Sequence, residues 1–241
     1  ELVRGEWRRY NYDLLSPGEY IPNDITNDTR LDVSTVSIEE NGGATDRVPY
    51  ALPPGIEREK NVNTTNLQQE NEQSMSMTIY NLIDGDARAA YKNTDFDFRQ
   101  FNTLKMFIHA EALSQEDDAR YAGKTGPLTV FLRLGADFTE NYYEYEVPIE
   151  FTPWGTSSIN EDVIWPETNE MTIDLETLVG VKQNRNALIS DPGSNVTYTT
   201  PYYENDGKNK ITVVGTPSLS DVRVLMVGVR NPKKQLLTDD D

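Results

Sequence analysis

His109 is the only histidine in the chain, and there is no cysteine. It sits in the run LKMFIHAEAL, between Ile108 and Ala110. A Ser–His–Asp triad, a zinc centre or a histidine acid–base pair needs partners, and here no second imidazole or thiolate exists to supply them. His109 therefore reads as a satisfied core or sheet-edge histidine. Two carboxylates alone can hydrolyse a glycosidic bond. With 40 acidic residues, however, some pair always looks suitable, so spacing singles out none, and the chain is expected not to be an enzyme. The acid clusters Asp84/Asp86, Glu116–Asp118 and Asp137/Glu140 are candidate calcium ligands. Calcium needs several converging oxygens, and no Asp-x-Asp-x-Asp-Gly loop is present. NLIDGDAR comes closest and reads better as a solvated turn, so neither metal nor cofactor is expected.

The remaining groups suited to recognition are aromatic. Tyr142, Tyr143, Trp154, Trp165, Tyr202 and Tyr203 fall in or near expected loops. Such rings stack on sugars, or anchor a domain docked in a larger assembly. A third set lies in LVRGEWRRYNYDLL (Leu2–Leu15), where Arg4, Arg8 and Arg9 interleave with Trp7, Tyr10 and Tyr12. Arginines among rings can pair phosphates and stack bases. Against this, 40 acidic and 22 basic side chains give a formal charge of -18, a field that repels polyanions, so no nucleic-acid partner is expected. The stretch reads instead as a strand. Alternation puts Arg8 and Tyr10 on one face and Trp7 and Arg9 on the other, with guanidinium groups free to lie over rings.

The elements that must hold these groups are mostly extended. Thirteen tyrosines and seven phenylalanines favour strands, and fifteen glycines with thirteen prolines supply turns. In the N-terminal third, RLDVSTVSIEE changes its apolar face partway, which predicts a bulge or an edge. VPYALPPGIERE reads as an irregular crossing strand, and 60–74 as a polar loop or short exposed helix. From Met75 the alternation sharpens. MSMTIYNL places Met75, Met77 and Ile79 on one face, and NTDFDFRQF alternates Phe96 and Phe98 with acids. LKMFIHAEAL predicts a strand buried on both sides, and Ser114–Thr125 a charged loop. PLTVFLRLGADF and NYYEYEVPIEFTPW predict a hairpin, with Leu128, Val130, Leu132 and Leu134 on one face and Tyr143, Tyr145, Val147 and Ile149 on another. MTIDLETLVGVKQNRN starts as a strand and ends in a short helical turn. KITVVGTPSL and VRVLMVGVRNP read as a final pair. Strands at this spacing without long helices predict an all-β sandwich. The expected organisation is one domain over 1–233, with N-terminal strands and loops in 1–74, a core in 75–233 and a flexible acidic tail in 234–241. No apolar run is long enough for a transmembrane helix. The chain starts without Met inside an expected strand, which reads as a mature or excised segment.

Two resemblances add to this. The closing strands with their Gly-x-Pro-x-Leu turn, and the tyrosine-rich hairpin followed by I-D-L, resemble galactose-binding-like jelly rolls over roughly 96–232. More specific are ELVRGEWRRYNYDL, VSTVSIEENG, YALPPGIERE, LQQENEQSMSM, NLIDGDARAAYKN, LKMFIHAEA, FLRLGADFTENYYEYEVPIEFTPW and VLMVGVRNPK, in this order. Together they resemble the SprA/Sov family, the outer-membrane translocon of type IX secretion and gliding motility. The resemblance implies a non-catalytic structural segment of a giant β-barrel. Its partners would be the rest of that barrel and other secretion components, and its place the outer membrane. Lipid-facing barrel strands do not recur here as a set. Barrels with short periplasmic turns and long extracellular loops place so large an insertion at the extracellular face in preference to the periplasm. A carbohydrate-binding module recognising surface glycans is the alternative reading.

Overall fold

A computed structural model describes residues 7–14, 22, 28–43, 47–58, 60–61 and 68–232. Arg4 and the acidic tail 234–241 lie outside these residues. The strands are β1 (Arg8–Arg9), β2 (Arg30–Ser37), β3 (Lys60–Asn61), β4 (Gln68–Gln69), β5 (Gln73–Tyr80), β6 (Ala87–Phe96) and β7 (Thr103–Met106). They continue with β8 (Thr125–Gly135), β9 (Tyr142–Glu150), β10 (Met171–Asp174), β11 (Tyr202–Asp206), β12 (Asn209–Val214) and β13 (Val222–Arg230). Helices are α1 (Ile38–Asn41), α2 (Gln115–Tyr121), α3 (Glu161–Ile164) and α4 (Leu175–Ile189).

Seven strands form one antiparallel sheet in the order β1-β6-β13-β8-β9-β12-β11. The predicted hairpin is its middle, with Leu132 opposite Tyr145 and Leu134 opposite Tyr143. Its inner face carries Val130, Leu132, Leu134, Tyr143, Tyr145, Val147, Ile149, Ile211, Val213 and Val227, all buried in one cluster. A second layer closes over that cluster. It is built from the β7/β10 pair (Leu104, Met106, Met171, Ile173), from Met75 and Met77 of β5, which pairs with β2, and from α4 (Leu175, Leu178, Val181). Fully burying one such aliphatic side chain contributes about 1.5–3 kcal/mol. The fold is the expected all-β sandwich.

Several elements differ from the sequence reading. β12 and β13 do not pair with each other. β13 lies between β6 and β8, while β12 joins β9 to β11. Val222–Arg230 has apolar residues on both faces, which suits a central strand better than a closing edge. The short helical turn expected after MTID is the fifteen-residue α4. Its N-terminus is capped by the Asp174 carboxylate, which accepts from the Glu176 amide at 2.9 Å. Its buried stripe includes Arg185, whose Nη1 donates to the Gly215 carbonyl at 2.6 Å, so a charged residue occupies a core position and hides the helical period. The charged loop at Ser114–Thr125 holds α2, capped by the Ser114 hydroxyl accepting from the Asp117 amide. β2 and β5 pair without register shift from Arg30–Tyr80 to Ser37–Gln73 in a two-stranded sheet, so of the bulge or edge expected there β2 is the edge, and the apolar Ile38 belongs to α1.

LKMFIHAEAL is hydrogen-bonded as a strand only to Met106, where its ladder with β10 ends. Beyond that point Ile108, Ala110 and Ala112 still face the main cluster, while Phe107 turns to a smaller one around Trp165, Ile164 and Ala51. The expected strand buried on both sides is thus corrected: only 104–106 of this run lie in the ladder, Lys105 there is exposed, and the half-buried residues that face two clusters come after it. In LVRGEWRRYNYDLL, Trp7 packs on the main cluster and Tyr10 on the opposite face of the sheet. Arg9 donates to the Leu31 carbonyl at 3.3 Å, which ties β1 to β2.

Candidate functional site

The opposite face of the central sheet is also buried, and it carries charge. Register sets Arg133 of β8 against Glu144 of β9, and Lys210 of β12 against Glu146. Arg133 meets Glu144 at 2.6 and 3.0 Å through two nitrogens. Arg230 of β13 reaches both carboxylates, at 3.0 Å to Glu144 and 2.5 Å to Glu146. Lys210 closes the row at 2.6 Å from Glu146, whose other oxygen accepts from the Thr129 hydroxyl. Burial pushes the Glu144 carboxyl up, but the charges of Arg230 and Arg133 outweigh it and hold the group down at about 2. Both oxygens of each glutamate are occupied by donors, so neither is poised as a base or nucleophile. The guanidinium of Arg133 lies 3.9 Å from the centre of the Tyr142 ring, and that of Arg230 lies 4.7 Å from that of Phe131.

The six aromatic residues singled out from sequence do not form one platform. Tyr142 and Tyr143 are in β9, not in a loop, and are 4% and 2% exposed. β9 lies between β8 and β12 with both faces covered, which leaves these rings to packing rather than stacking. The Tyr143 hydroxyl donates to the Pro217 carbonyl, and burial pushes it up to about 12. Trp154 is half-buried, its indole N–H donating to Ala112 and the Arg47 guanidinium lying 5.6 Å from its ring centre. Trp165 is buried, with its N–H donating to Ala51 and Tyr50, Phe107 and His109 meeting its ring edge-on. Tyr202 is half-buried and donates to Glu204 at 2.6 Å, which pushes its hydroxyl up to about 12. Tyr203, on the other face of the edge strand β11, is 64% exposed.

The groups weighed for chemistry are committed to structure. His109 Nδ1 lies 2.8 Å from the Ile164 carbonyl and therefore carries the hydrogen; burial pushes the imidazole below its usual range. Asp137 accepts from the amides of Thr139, Glu140 and Asn141, closing the β8–β9 turn. Asp86 is not in a solvated turn. It is buried and binds Arg88 at 2.6 Å, because β6 begins inside the molecule. Asp118 accepts from the Trp154 amide. Among the described residues no three acidic or histidine groups converge as metal ligands, and no helix is long and apolar enough to cross a membrane.

Two surface features were not anticipated from sequence. Phe96 and Phe101 stack at 5.7 Å while 43% and 49% exposed, because β6 ends at Phe96 and only Phe98, in the following 3₁₀ turn, goes inward. A cleft of about 530 Å³ opens beside Trp165, with Phe107 and Ile108 in its floor and Glu150, Asp162, Glu167 and Glu170 around it. Its members come from four separate stretches of chain, so spacing alone could not assemble it.

The family model SprA_N, described as a motility related/secretion protein, matches residues 1–239. No curated protein matches the chain.

Proposed function

The chain belongs to the SprA_N family of motility-related secretion proteins, and from that premise we propose that it is a non-catalytic structural domain of an outer-membrane translocon serving type IX secretion and gliding motility. The family membership, with its cell-envelope setting, carries the reading. The covered rings support it: Trp154 lies beside Arg47 and Tyr142 under Arg133, which leaves no pair of parallel exposed rings for a sugar among these residues. The capped His109 and the saturated Glu144 and Glu146 support a role without catalysis. The partners are then the remaining barrel and other secretion components, and the domain sits at the extracellular face, where it restricts diffusion through the pore. Its acidic surface suits that post by resisting anionic lipopolysaccharide.

Two measurements in a motile bacterium that encodes the protein test this. In-frame removal of residues 28–232 should abolish cargo export and surface spreading; export at the native level overturns the translocon role. An epitope placed at 191–194, in an exposed turn after α4, should be reached by antibody on intact cells. Labelling only after permeabilisation moves the domain to the periplasm.

A further inference from the structure

We propose that the cleft beside Trp165 is a docking groove for a polypeptide segment that presents one arginine or lysine between apolar neighbours. The proposal rests on the reading of this chain as an assembly domain of a secretion protein, whose partners are polypeptides. The cleft of about 530 Å³ is half open to solvent, and its floor is apolar: half-buried Phe107 and Ile108 beside Trp165. The ladder with β10 ends at Met106, and Phe107 and Ile108, which follow it, line the cleft.

Charge selects the occupant. Glu170 is neutralised by Lys105 at 2.8 Å, and Glu150 accepts from the hydroxyls of Thr168 and Thr125 at 3.0 and 3.4 Å. Lys208 reaches in only as far as the Thr168 carbonyl. Asp162 and Glu167 are exposed and pair with no cation among the described residues. The groove thus keeps a net negative rim, from Glu150, Asp162 and Glu167, over an apolar floor. A bare metal ion or polyanion gains nothing from that floor or that rim, respectively. A basic side chain has a methylene stem for the floor and a cationic head for the rim.

The test uses the 241-residue chain and two probes, acetyl-Phe-Arg-Phe-amide and acetyl-Phe-Glu-Phe-amide, read by amide and indole chemical shifts. The arginine peptide should shift the Trp165 indole N–H and the amides of Phe107, Ile108, Glu167 and Thr168, while the glutamate peptide leaves them in place. Asp162→Asn with Glu167→Gln should weaken binding about tenfold or more, and added salt should do the same. Both side chains are exposed, and an unchanged thermal melt shows that the variant folds. No shift at millimolar arginine peptide, equal shifts from both peptides, or shifts produced instead by a neutral oligosaccharide overturn the groove. The assembly reading fails separately, through native export after removal of the domain.

Discussion

The two faces of the central sheet are built by the same strands from alternate residues, and they are stabilised by different physics. On the inner face Leu132, Leu134, Tyr145 and Val147 lose apolar surface to α4 and the β7/β10 pair. On the other face Arg133, Glu144 and Glu146 are equally hidden, Arg230 is half-buried, and the four hold one another by directed charge pairing. Apolar burial is non-directional and tolerates swaps that conserve volume. A buried charge row tolerates no loss of a single member, because the survivor is left desolvated without a counter-charge. The first face supplies cohesion. The second fixes which residue stands opposite which, since a one-residue slip of β9 would put Glu144 into the apolar layer.

Removing one member of the charge row is therefore the severest test. Glu144→Ala leaves Arg133 and Arg230 facing each other and should destabilise by about 3–5 kcal/mol in urea unfolding. Leu132→Ala, its counterpart on the inner face, should lose roughly 2–5 kcal/mol through the cavity it opens. The distinction sharpens in the doubles: replacing Arg133 and Glu144 together by leucine should destabilise less than Glu144→Ala alone, since it leaves fewer unpaired charges. A Glu144→Ala loss below about 1 kcal/mol would mean that the row is effectively solvated, and the contrast between the faces would collapse.

Acid should find the charged face and pass over the apolar one. Glu144 is held at about 2 in the fold, below its ordinary value of 4.5. The unfolded chain thus binds the proton more readily. The stability from this group is complete above the ordinary value and is lost as pH falls from there through about 2. The shift corresponds to on the order of 3 kcal/mol. His109, also pushed down, loses its contribution in a higher window, starting as pH falls below 6.5. Urea midpoints between pH 5 and 2 should fall steeply in the native chain and in Leu132→Ala, and less steeply in Glu144→Gln. Equal slopes in all three would remove Glu144 as the acid-sensitive group.

These faces also mark what could be read from the sequence. Alternation in PLTVFLRLGADF and NYYEYEVPIEFTPW gives the hairpin and its inner face, because period two is local. It does not say that the intervening Arg133, Glu144 and Glu146 are covered as well, since a charged alternate position looks the same whether it faces water or a partner two strands away. Strand order was hidden for a related reason: β13 (Val222–Arg230) joins β6 (Ala87–Phe96) and β8 (Thr125–Gly135), both far back in the chain, and turn chemistry at Gly215 and Pro217 reports only that the chain bends. α4 was masked by Arg185 in its buried stripe. The site fared worse than the fold, for Tyr142, Tyr143 and Trp165 are placed by tertiary packing that ring type alone does not predict.

The smallest effect probes the packing on the charged face itself, at Gly228 of β13. Gly228 stands opposite Phe131 of β8 and Ala89 of β6. A Cβ added there would collide with the Phe131 ring and come within 2.9 Å of the Ala89 Cβ. That ring in turn supports the Arg230 guanidinium, so Gly228→Ala displaces both the packing and one cation of the charge row. Overpacking of this kind should destabilise by about 1–3 kcal/mol, less than deleting a charge because the ring can shift while every ion keeps a counter-ion. The shift of Phe131 should also loosen the Arg230 contact with Glu144, and so flatten the acid limb of the urea midpoints. Gly228→Ala with native stability would mean that the ring has room to spare. Reduced stability with an unchanged acid limb would show the aromatic packing and the ion row to be independent, two devices on one face rather than one.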